Sequence, residues 1–130
     1  MSRVLSVGQC GYDQFGISRN LKKGFGAVVA GAATSAEALS KIRSEPFDLV
    51  LVNRVLDADG TEGLDLIKAI KGDPALAGCS VMLVSNYPEA QKAAEALGAL
   101  PGFGKAGLGT TPVTAKLAEV LKAKDPASSQ

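Results

Sequence analysis

Short apolar runs alternate with longer amphipathic segments along the whole chain. The runs occupy residues 4–7, 27–30, 49–52, 81–84 and a weaker stretch around Phe103. They are apolar almost throughout, which is typical of strands that helices cover on both faces. The alternation predicts an α/β domain of three layers with five parallel strands and five helices, and right-handed crossovers favour the strand order 2-1-3-4-5.

The predicted helices begin at recognisable capping residues. Thr34 with Glu37, and Asp59 with Glu62, have the spacing of a capping box, in which each side chain accepts a hydrogen bond from the other residue's backbone N–H. We therefore expect the second and third helices to begin at these two pairs. Thr111, followed by a proline, is expected to begin the last helix.

The 130 residues are 46% hydrophobic and 21% charged, which suits one domain with one core. We assign residues 1–124 to this domain and residues 125–130 to a polar tail or linker stub. The net charge is +1, so electrostatic capture of nucleic acid or of an anionic membrane is not expected. The apolar stretch near the N-terminus is too short for a signal sequence or a membrane span, which predicts a cytoplasmic location.

Several kinds of catalytic site lack their residues. The chain has no histidine and two cysteines, which excludes a Ser-His-Asp triad, a Cys-His dyad and the usual zinc sites. Cys10 and Cys79 are expected to be buried, reduced thiols. Phe15, Phe25 and Phe103 are expected to pack in the core.

Binding sites in parallel α/β sheets lie at the carboxyl ends of the strands. We therefore take the residues that follow the strands as the candidate site. They are Gly8, Gln9 and Cys10 after the first strand, Asn53 and Arg54 after the third, Ser85 and Asn86 after the fourth, and Lys105 after the fifth.

Short motifs occur in a fixed order around these positions. They are Asp48-Leu-Val-Leu-Val-Asn53, Leu56-Asp-Ala-Asp-Gly60, Val84-Ser85-Asn86, Gly98-Ala99 and Lys105. In the order and spacing of these motifs, residues 3–123 resemble the receiver domain of bacterial two-component response regulators. The resemblance implies a flavodoxin-like fold and a role in phosphorelay signal transduction.

The family's mechanism is an aspartyl-phosphate switch. Two acidic residues after the first strand hold Mg²⁺, an aspartate ending the third strand takes the phosphoryl group, and a hydroxyl and a lysine contact that group. Carried over by position, Gly8 and Gln9 replace the acid pair and Asn53 replaces the acceptor, whereas Ser85 and Lys105 match. Magnesium prefers carboxylate ligands, and an amide cannot attack phosphorus as a carboxylate does.

The sequence therefore predicts a degenerate receiver, or pseudo-receiver, that acts as a protein-interaction module without phosphorylation. No catalytic residue, metal or cofactor is expected. The loop after Asn53 lacks the family's usual proline and is shorter, and Ala106 replaces a proline that commonly follows the lysine. Gly102 stands where the family commonly has the aromatic residue that reports phosphorylation.

Several interpretations stay open. Asn53 is either a hydrogen-bonding strand end or a ligand-binding residue, and Lys105 either approaches Asn53 and Asp57 or is a solvated surface lysine. One alternative function is a receiver phosphorylated at an unusual residue such as Asp57. Another is a small-ligand-binding flavodoxin-like domain, since Asp13-Gln-Phe-Gly16 resembles the loop of cobalamin-binding domains without its histidine.

If phosphorylation does not set the conformation, the domain must act through a surface. Receivers resemble one another in using the face formed by the fourth helix, the fifth strand and the fifth helix. We predict that a protein partner or a second copy binds this face, with no direct contact to nucleic acid or membrane. The residues of this predicted partner face are Glu89, Lys92, Glu95, Lys116, Glu119 and Lys122.

Overall fold

Five parallel strands form one sheet in the computed structural model, which describes residues 2–121. The strands are β1 (Arg3–Val7), β2 (Val28–Ala32), β3 (Leu49–Asn53), β4 (Val81–Val84) and β5 (Leu100–Phe103). The helices are α1 (Gly11–Phe25), α2 (Ser35–Ser44), α3 (Gly63–Gly72), α4 (Pro88–Ala96) and α5 (Thr111–Leu121), with a short 3-10 helix at Lys105–Gly107. The strand order β2-β1-β3-β4-β5 confirms the predicted three-layer, flavodoxin-like fold.

Alternate residues of each strand point to opposite faces of the sheet and build two apolar layers. The layer beneath α2, α3 and α4 includes Leu5, Val7, Ala38, Leu66, Ile67 and Ala94. The layer beneath α1 and α5 includes Val4, Leu51, Ile17, Leu21, Val113 and Leu117. Because both faces of the central strands are covered, these strands carry apolar residues at nearly every position.

The parallel arrangement brings the carboxyl ends of the strands to one edge of the sheet. Val7 pairs with Val52, Asn53 pairs with Val84, and Val84 pairs with Phe103. The residues that follow β1, β3, β4 and β5 therefore face one crevice, as the fold class predicts.

The second helix begins where the sequence predicts, and the third does not. Thr34 Oγ1 accepts a hydrogen bond from the Glu37 N–H at 3.2 Å. Asp59 instead accepts one from the Thr61 N–H at 3.0 Å, and α3 begins later, at Gly63. The expected start at Asp59 is wrong because its carboxylate closes a local turn, a hydrogen bond that competes with helix capping.

Helix α1 does not bury all of its apolar side chains. Its buried positions are Ile17 and Leu21, one turn apart, whereas Phe15 is 66% exposed. The expectation that Phe15 lies in the core is wrong because the inward stripe of the helix runs through Ile17 and leaves Phe15 on the other side. Phe103 is buried and Phe25 packs partly against the same layer, as expected.

The two cysteines are partly exposed and not buried as expected. Cys10 lies at the N-cap of α1, where its Sγ accepts a hydrogen bond from the Asp13 N–H at 3.5 Å. A capping residue must sit at the helix end, which explains why Cys10 is not enclosed.

The predicted polar tail, residues 125–130, lies outside the described residues, and so does Lys122. Within residues 2–121, no helix combines the length and the hydropathy that crossing a membrane requires.

Candidate functional site

Asn53 ends β3 and hydrogen-bonds through both ends of its side-chain amide. Its Nδ2 donates to the Gly8 carbonyl at 3.1 Å and to the Val55 carbonyl at 2.8 Å, and its Oδ1 accepts from the Arg54 N–H at 3.1 Å. An ionised carboxylate offers acceptors only, so an aspartate in this position would set an oxygen against two carbonyl oxygens. Asn53 thus forms the hydrogen bonds of a strand end, and the ligand-binding role stays a prediction.

Gly8 stands where the resemblance places one residue of the acid pair, and it has no room for a side chain. Its φ is +75°, and a Cβ added there would lie 2.3 Å from Leu56 Cδ2 and 2.9 Å from Leu56 Cα. Its carbonyl accepts hydrogen bonds from Asn53 Nδ2 at 3.1 Å and from the Asp57 N–H at 2.9 Å. Since glycine adopts this backbone conformation without strain, a carboxylate at Gly8 requires the neighbouring loop to move.

The loop between β3 and α3 folds back on itself beside Gly8. Val55 forms an antiparallel bridge with Glu62, and the Leu56 N–H donates to the Thr61 carbonyl at 2.8 Å. This turn directs Leu56 inward, where it is fully buried in the layer beneath α2, α3 and α4. The loop thus places an apolar side chain against the end of β1.

The positions that would hold Mg²⁺ in the family that the chain resembles do not fit a cation here. Gly8, Gln9 and Asn53 are uncharged, and both polar atoms of the Gln9 amide are buried without a hydrogen bond to the described residues. Nowhere in residues 2–121 do three histidine, cysteine or acidic side chains form a group that could hold a metal. Because Mg²⁺ needs carboxylate oxygens, these residues do not provide its site.

Three of the five predicted pocket residues, Asn53, Ser85 and Lys105, line one open cavity of about 260 Å³. The two residues after β1 are not part of its lining. Ser85 Oγ accepts a hydrogen bond from the Tyr87 N–H at 3.1 Å and so supports the start of α4. The Arg54 guanidinium lies over the Tyr87 ring, 4.8 Å from its centroid, in a cation–π contact at the rim.

Lys105 forms its ion pair with Asp13 of α1 and not with Asp57, and its Nζ donates a hydrogen bond to Asp13 instead of Asn53. Its Nζ lies 2.6 Å from Asp13 Oδ2, and the same oxygen accepts a hydrogen bond from Cys10 Sγ at 3.3 Å. The Lys105 ammonium holds the pKa of Asp13 below its ordinary value, with partial burial opposing the effect and Cys10 assisting it. The positive charge of Lys105 is therefore already balanced inside the protein.

Gly102 has no space for the aromatic residue that the family commonly carries there. A Cβ at Gly102 would lie 2.1 Å from the Leu83 carbonyl oxygen and 2.8 Å from Gln91 Oε1. A larger side chain at this point would force β4 and β5 apart.

The predicted partner face is mostly exposed. Its exposed residues include Glu89, Lys92, Glu95 and Glu119. Lys116 is also exposed, but its Nζ donates to the Gly102 carbonyl at 3.0 Å, so the side chain lies along β5. Lys122, the sixth residue of this face, is outside the described residues.

No protein-family model and no curated protein matches the chain by sequence. Solved structures do match. The signal receiver domain of a DNA-binding response regulator from Colwellia psychrerythraea is 21% identical with a TM-score of 0.79, over 94% of this chain and 99% of that one. The chemotaxis protein CheY4 of Vibrio cholerae is 25% identical with a TM-score of 0.74, over 93% of this chain and 99% of that one.

A longer protein matches with a similar identity and TM-score. NtrX from Brucella abortus is 22% identical with a TM-score of 0.73, over 98% of this chain and 29% of that one. The chain is therefore similar to response-regulator receiver domains along nearly all of its length, and it has their fold.

Asp13 and Leu56 shape the site, and neither was predicted from the sequence to have this role. Asp13 follows Cys10 by three residues, which is the spacing of a helix cap and its first-turn partner, so a signal was present. Leu56 carried no such signal because the burial of a loop residue depends on how the whole loop folds.

Replacing Asn53 by aspartate is expected to lower the free energy of unfolding at pH 7 by about 1–3 kcal/mol, because two donors are lost and a carboxylate oxygen faces two carbonyls. Asn86→Asp adds the same charge after β4, at an exposed residue. It is the control and is expected to change the free energy of unfolding by less than about 0.5 kcal/mol. Urea unfolding of both variants measures the difference. Equal losses would contradict the role assigned to the Asn53 amide.

The lowered pKa of Asp13 predicts a pH-dependent contribution to stability. The contribution is fully present above the ordinary carboxyl pKa of 3.8 and is lost as the pH falls through the lower pKa of the folded state. Asp13→Asn is expected to lower the free energy of unfolding by about 1 kcal/mol or less at pH 7, since the pair is partly exposed. The difference in this free energy between wild type and variant is expected to shrink as the pH falls below about 4.

Thermal or urea unfolding across this pH range measures the Asp13 effect. Asp57→Asn, which removes an exposed carboxylate, is the control and is expected to leave the wild-type pH dependence nearly unchanged. A gap between wild type and Asp13→Asn that stays constant with pH would show that the ion pair does not contribute.

Proposed function

We propose that the chain is a protein-interaction module of signal transduction that has the receiver fold and works without aspartyl phosphorylation. The observation that carries the proposal is the Asn53 amide, which donates to the Gly8 and Val55 carbonyls at the position of the family's phosphoacceptor. In this proposal the chain is not an enzyme and uses no metal or cofactor. The resemblance implies a bacterial two-component pathway in the cytoplasm as its setting.

The chemistry of the site supports independence from phosphorylation. The nitrogen lone pair of Asn53 is delocalised into the amide carbonyl, so the side chain has no anionic oxygen to attack phosphorus. The charge that develops on a transferred phosphoryl group needs a cation or free donors nearby. Lys105 is paired with Asp13, and Ser85 Oγ accepts a hydrogen bond from the backbone. The nucleophilic oxygen and the acidic ligands that would hold a cation are therefore missing at these positions.

Phosphorylation at Asp57 is the alternative within the same class of function. Asp57 is exposed, and its N–H donates to the Gly8 carbonyl at 2.9 Å. Asp57 is not among the residues that line the cavity with Ser85 and Lys105. In the family, the residues at these two positions contact the phosphoryl group. Phosphorylation at Asp57 is therefore a weaker proposal than a module that works without phosphorylation.

A small-ligand-binding domain is the alternative from a different class. The strand-end cavity of about 260 Å³ is smaller than the roughly 300–1,000 Å³ that is usual for ligand pockets, whereas an open cavity of about 430 Å³ beside it, lined by Tyr12, Asp13 and Lys105, falls within that range. The motif at Asp13 that resembles a cobalamin loop lacks the histidine, and its aspartate is paired with Lys105. The missing histidine and the paired aspartate make this the weaker alternative.

The proposed partner is another protein, or a second copy of the chain, bound at α4, β5 and α5. The exposed charges there are of both signs, which allows complementary pairing. Exposed ion pairs contribute about 0–1 kcal/mol each, so such a contact is weak and sensitive to salt. Helix α1 is the competing surface, because Tyr12 and Phe15 are 87% and 66% exposed and aromatic side chains often dominate interfaces.

Incubation with acetyl phosphate and Mg²⁺ is expected to leave the intact mass of the protein unchanged. The physical reason is the absence of a nucleophilic carboxylate at Asn53 and of acidic ligands at Gly8 and Gln9. A receiver that has its acceptor aspartate, treated in the same way, serves as the control and must gain a phosphoryl group.

A hydroxylamine-labile adduct on this chain would contradict the proposal. Peptide mapping of the adduct to Asp57 would support the unusual-acceptor alternative instead.

Combining Lys92→Glu with Glu119→Lys is expected to reduce capture of a different protein by about tenfold, because it reverses charges on α4 and α5 that pair across the proposed contact. Lys92→Glu alone tests a second copy, because the double change can restore a pair between residues 92 and 119 of two copies. Capture from the source cell with tagged protein, quantified by mass spectrometry, compares the variant with wild type, and sedimentation tests self-association. Tyr12→Ser with Phe15→Ser is the matched control on α1. Loss of partners in the α1 variant alone would move the binding surface to that helix.

A further inference from the structure

The pairing of β4 with β5 is interrupted at one point. Met82 pairs with Leu100 and Val84 with Phe103, so the step on β5 is longer than the step on β4. Pro101 lies within this step and has no N–H to donate to the neighbouring strand. A regular ladder of backbone hydrogen bonds cannot continue through it.

The side-chain amide of Gln91, on α4, fills the interruption. Its Nε2 donates to the Leu83 carbonyl at 2.9 Å and to the Ser85 carbonyl at 3.1 Å, and its Oε1 accepts from the Gly102 N–H at 3.1 Å. The amide therefore acts as an additional peptide group between the two strands. Without it, backbone groups of both strands would lack their partners, which is costly for groups shielded from water.

Gly102 fits this arrangement in two ways. A Cβ would lie 2.1 Å from the Leu83 carbonyl oxygen, so a glycine is needed for the strands to approach this closely. Its carbonyl accepts a hydrogen bond from Lys116 Nζ of α5 at 3.0 Å. Both backbone polar groups of Gly102 are thus bonded to side chains, one from α4 and one from α5.

We propose that Gln91 fixes α4 on the β4–β5 pair in one position, so that the face formed by α4, β5 and α5 is preformed and does not change with the state of the strand-end cavity. A shift of α4 along the sheet must break the hydrogen bonds to Leu83, Ser85 and Gly102 together. This fixed position of α4 does not depend on which partner binds the face.

Native-state hydrogen exchange of Gln91→Met tests the proposal. Methionine keeps the length of the side chain but removes its hydrogen bonds, so exchange at Gly102 and within α4 is expected to accelerate about tenfold or more. The amides of β1, β2 and β3 are expected to keep their wild-type rates. Lys92→Met changes the next residue, which is exposed on the same helix, and is expected to leave all rates unchanged.

Unchanged exchange at Gly102 and α4 in Gln91→Met would overturn the proposal, and so would an equal acceleration in every element. If this variant does not fold, hydrogen exchange of the wild-type protein tests the proposal. The Gly102 amide bonds to the Gln91 side chain and is expected to exchange as slowly as the interior amides of α4, so rapid exchange there would overturn the proposal. The exchange result is independent of the acetyl phosphate result, so either proposal can fail alone.

Discussion

The hydrogen bonds of the Asn53 amide determine how the ends of β1 and β3 meet. Asn53 Nδ2 can donate to the Gly8 carbonyl because the positive φ of Gly8 turns the end of β1 toward the loop after β3. That turn also lets Leu56 pack where a side chain at residue 8 would lie. The amide at 53 and the glycine at 8 are therefore coupled. An aspartate at position 53 would lose the donor to Gly8, and a side chain at position 8 would displace Leu56, so a change at either position disturbs the same contact.

The fold follows from the sequence because burial on both faces leaves a clear pattern. The central strands must be apolar at nearly every position, and helices that cover them need an inward stripe, so runs such as 49–52 and 81–84 locate the sheet. Phe15 shows the limit of this argument. Its apolar character predicts burial, but the angular position of a residue on its helix depends on which stripe the sheet selects.

The site follows only in part, because residue type at a strand end does not fix what a side chain reaches. The topology correctly brings Asn53, Ser85 and Lys105 to one cavity. The contact between Lys105 and Asp13 joins residues 92 positions apart, and a long flexible side chain could have reached several acids from the same backbone position. The helix start predicted at Asp59 is wrong for a related reason. An aspartate before a helix can accept a hydrogen bond within a turn as readily as from the helix.

Side chains from the helices also close the open edges of the sheet. β2 and β5 are the edge strands, and each has a backbone carbonyl bonded to a lysine: Gly31 to Lys41 of α2 at 2.6 Å, and Gly102 to Lys116 of α5 at 3.0 Å. Lysines at sheet edges oppose pairing with another chain. The lysine bond at Gly102 therefore opposes the addition of another strand at the edge of β5.

A conformational switch needs two states of similar free energy, and a ligand shifts them only by the difference in its affinity for each. At the strand ends of this chain, the amide of Asn53, the hydroxyl of Ser85 and the ammonium of Lys105 already bond within the protein. A ligand that used the Asn53 amide would have to displace the Gly8 and Val55 carbonyls, and one that used Lys105 would compete with Asp13, which lowers its affinity in every state. Under the proposed function, and if Gln91 holds α4 in one position as proposed, control of a signal through this chain comes from the abundance or the modification of the partner.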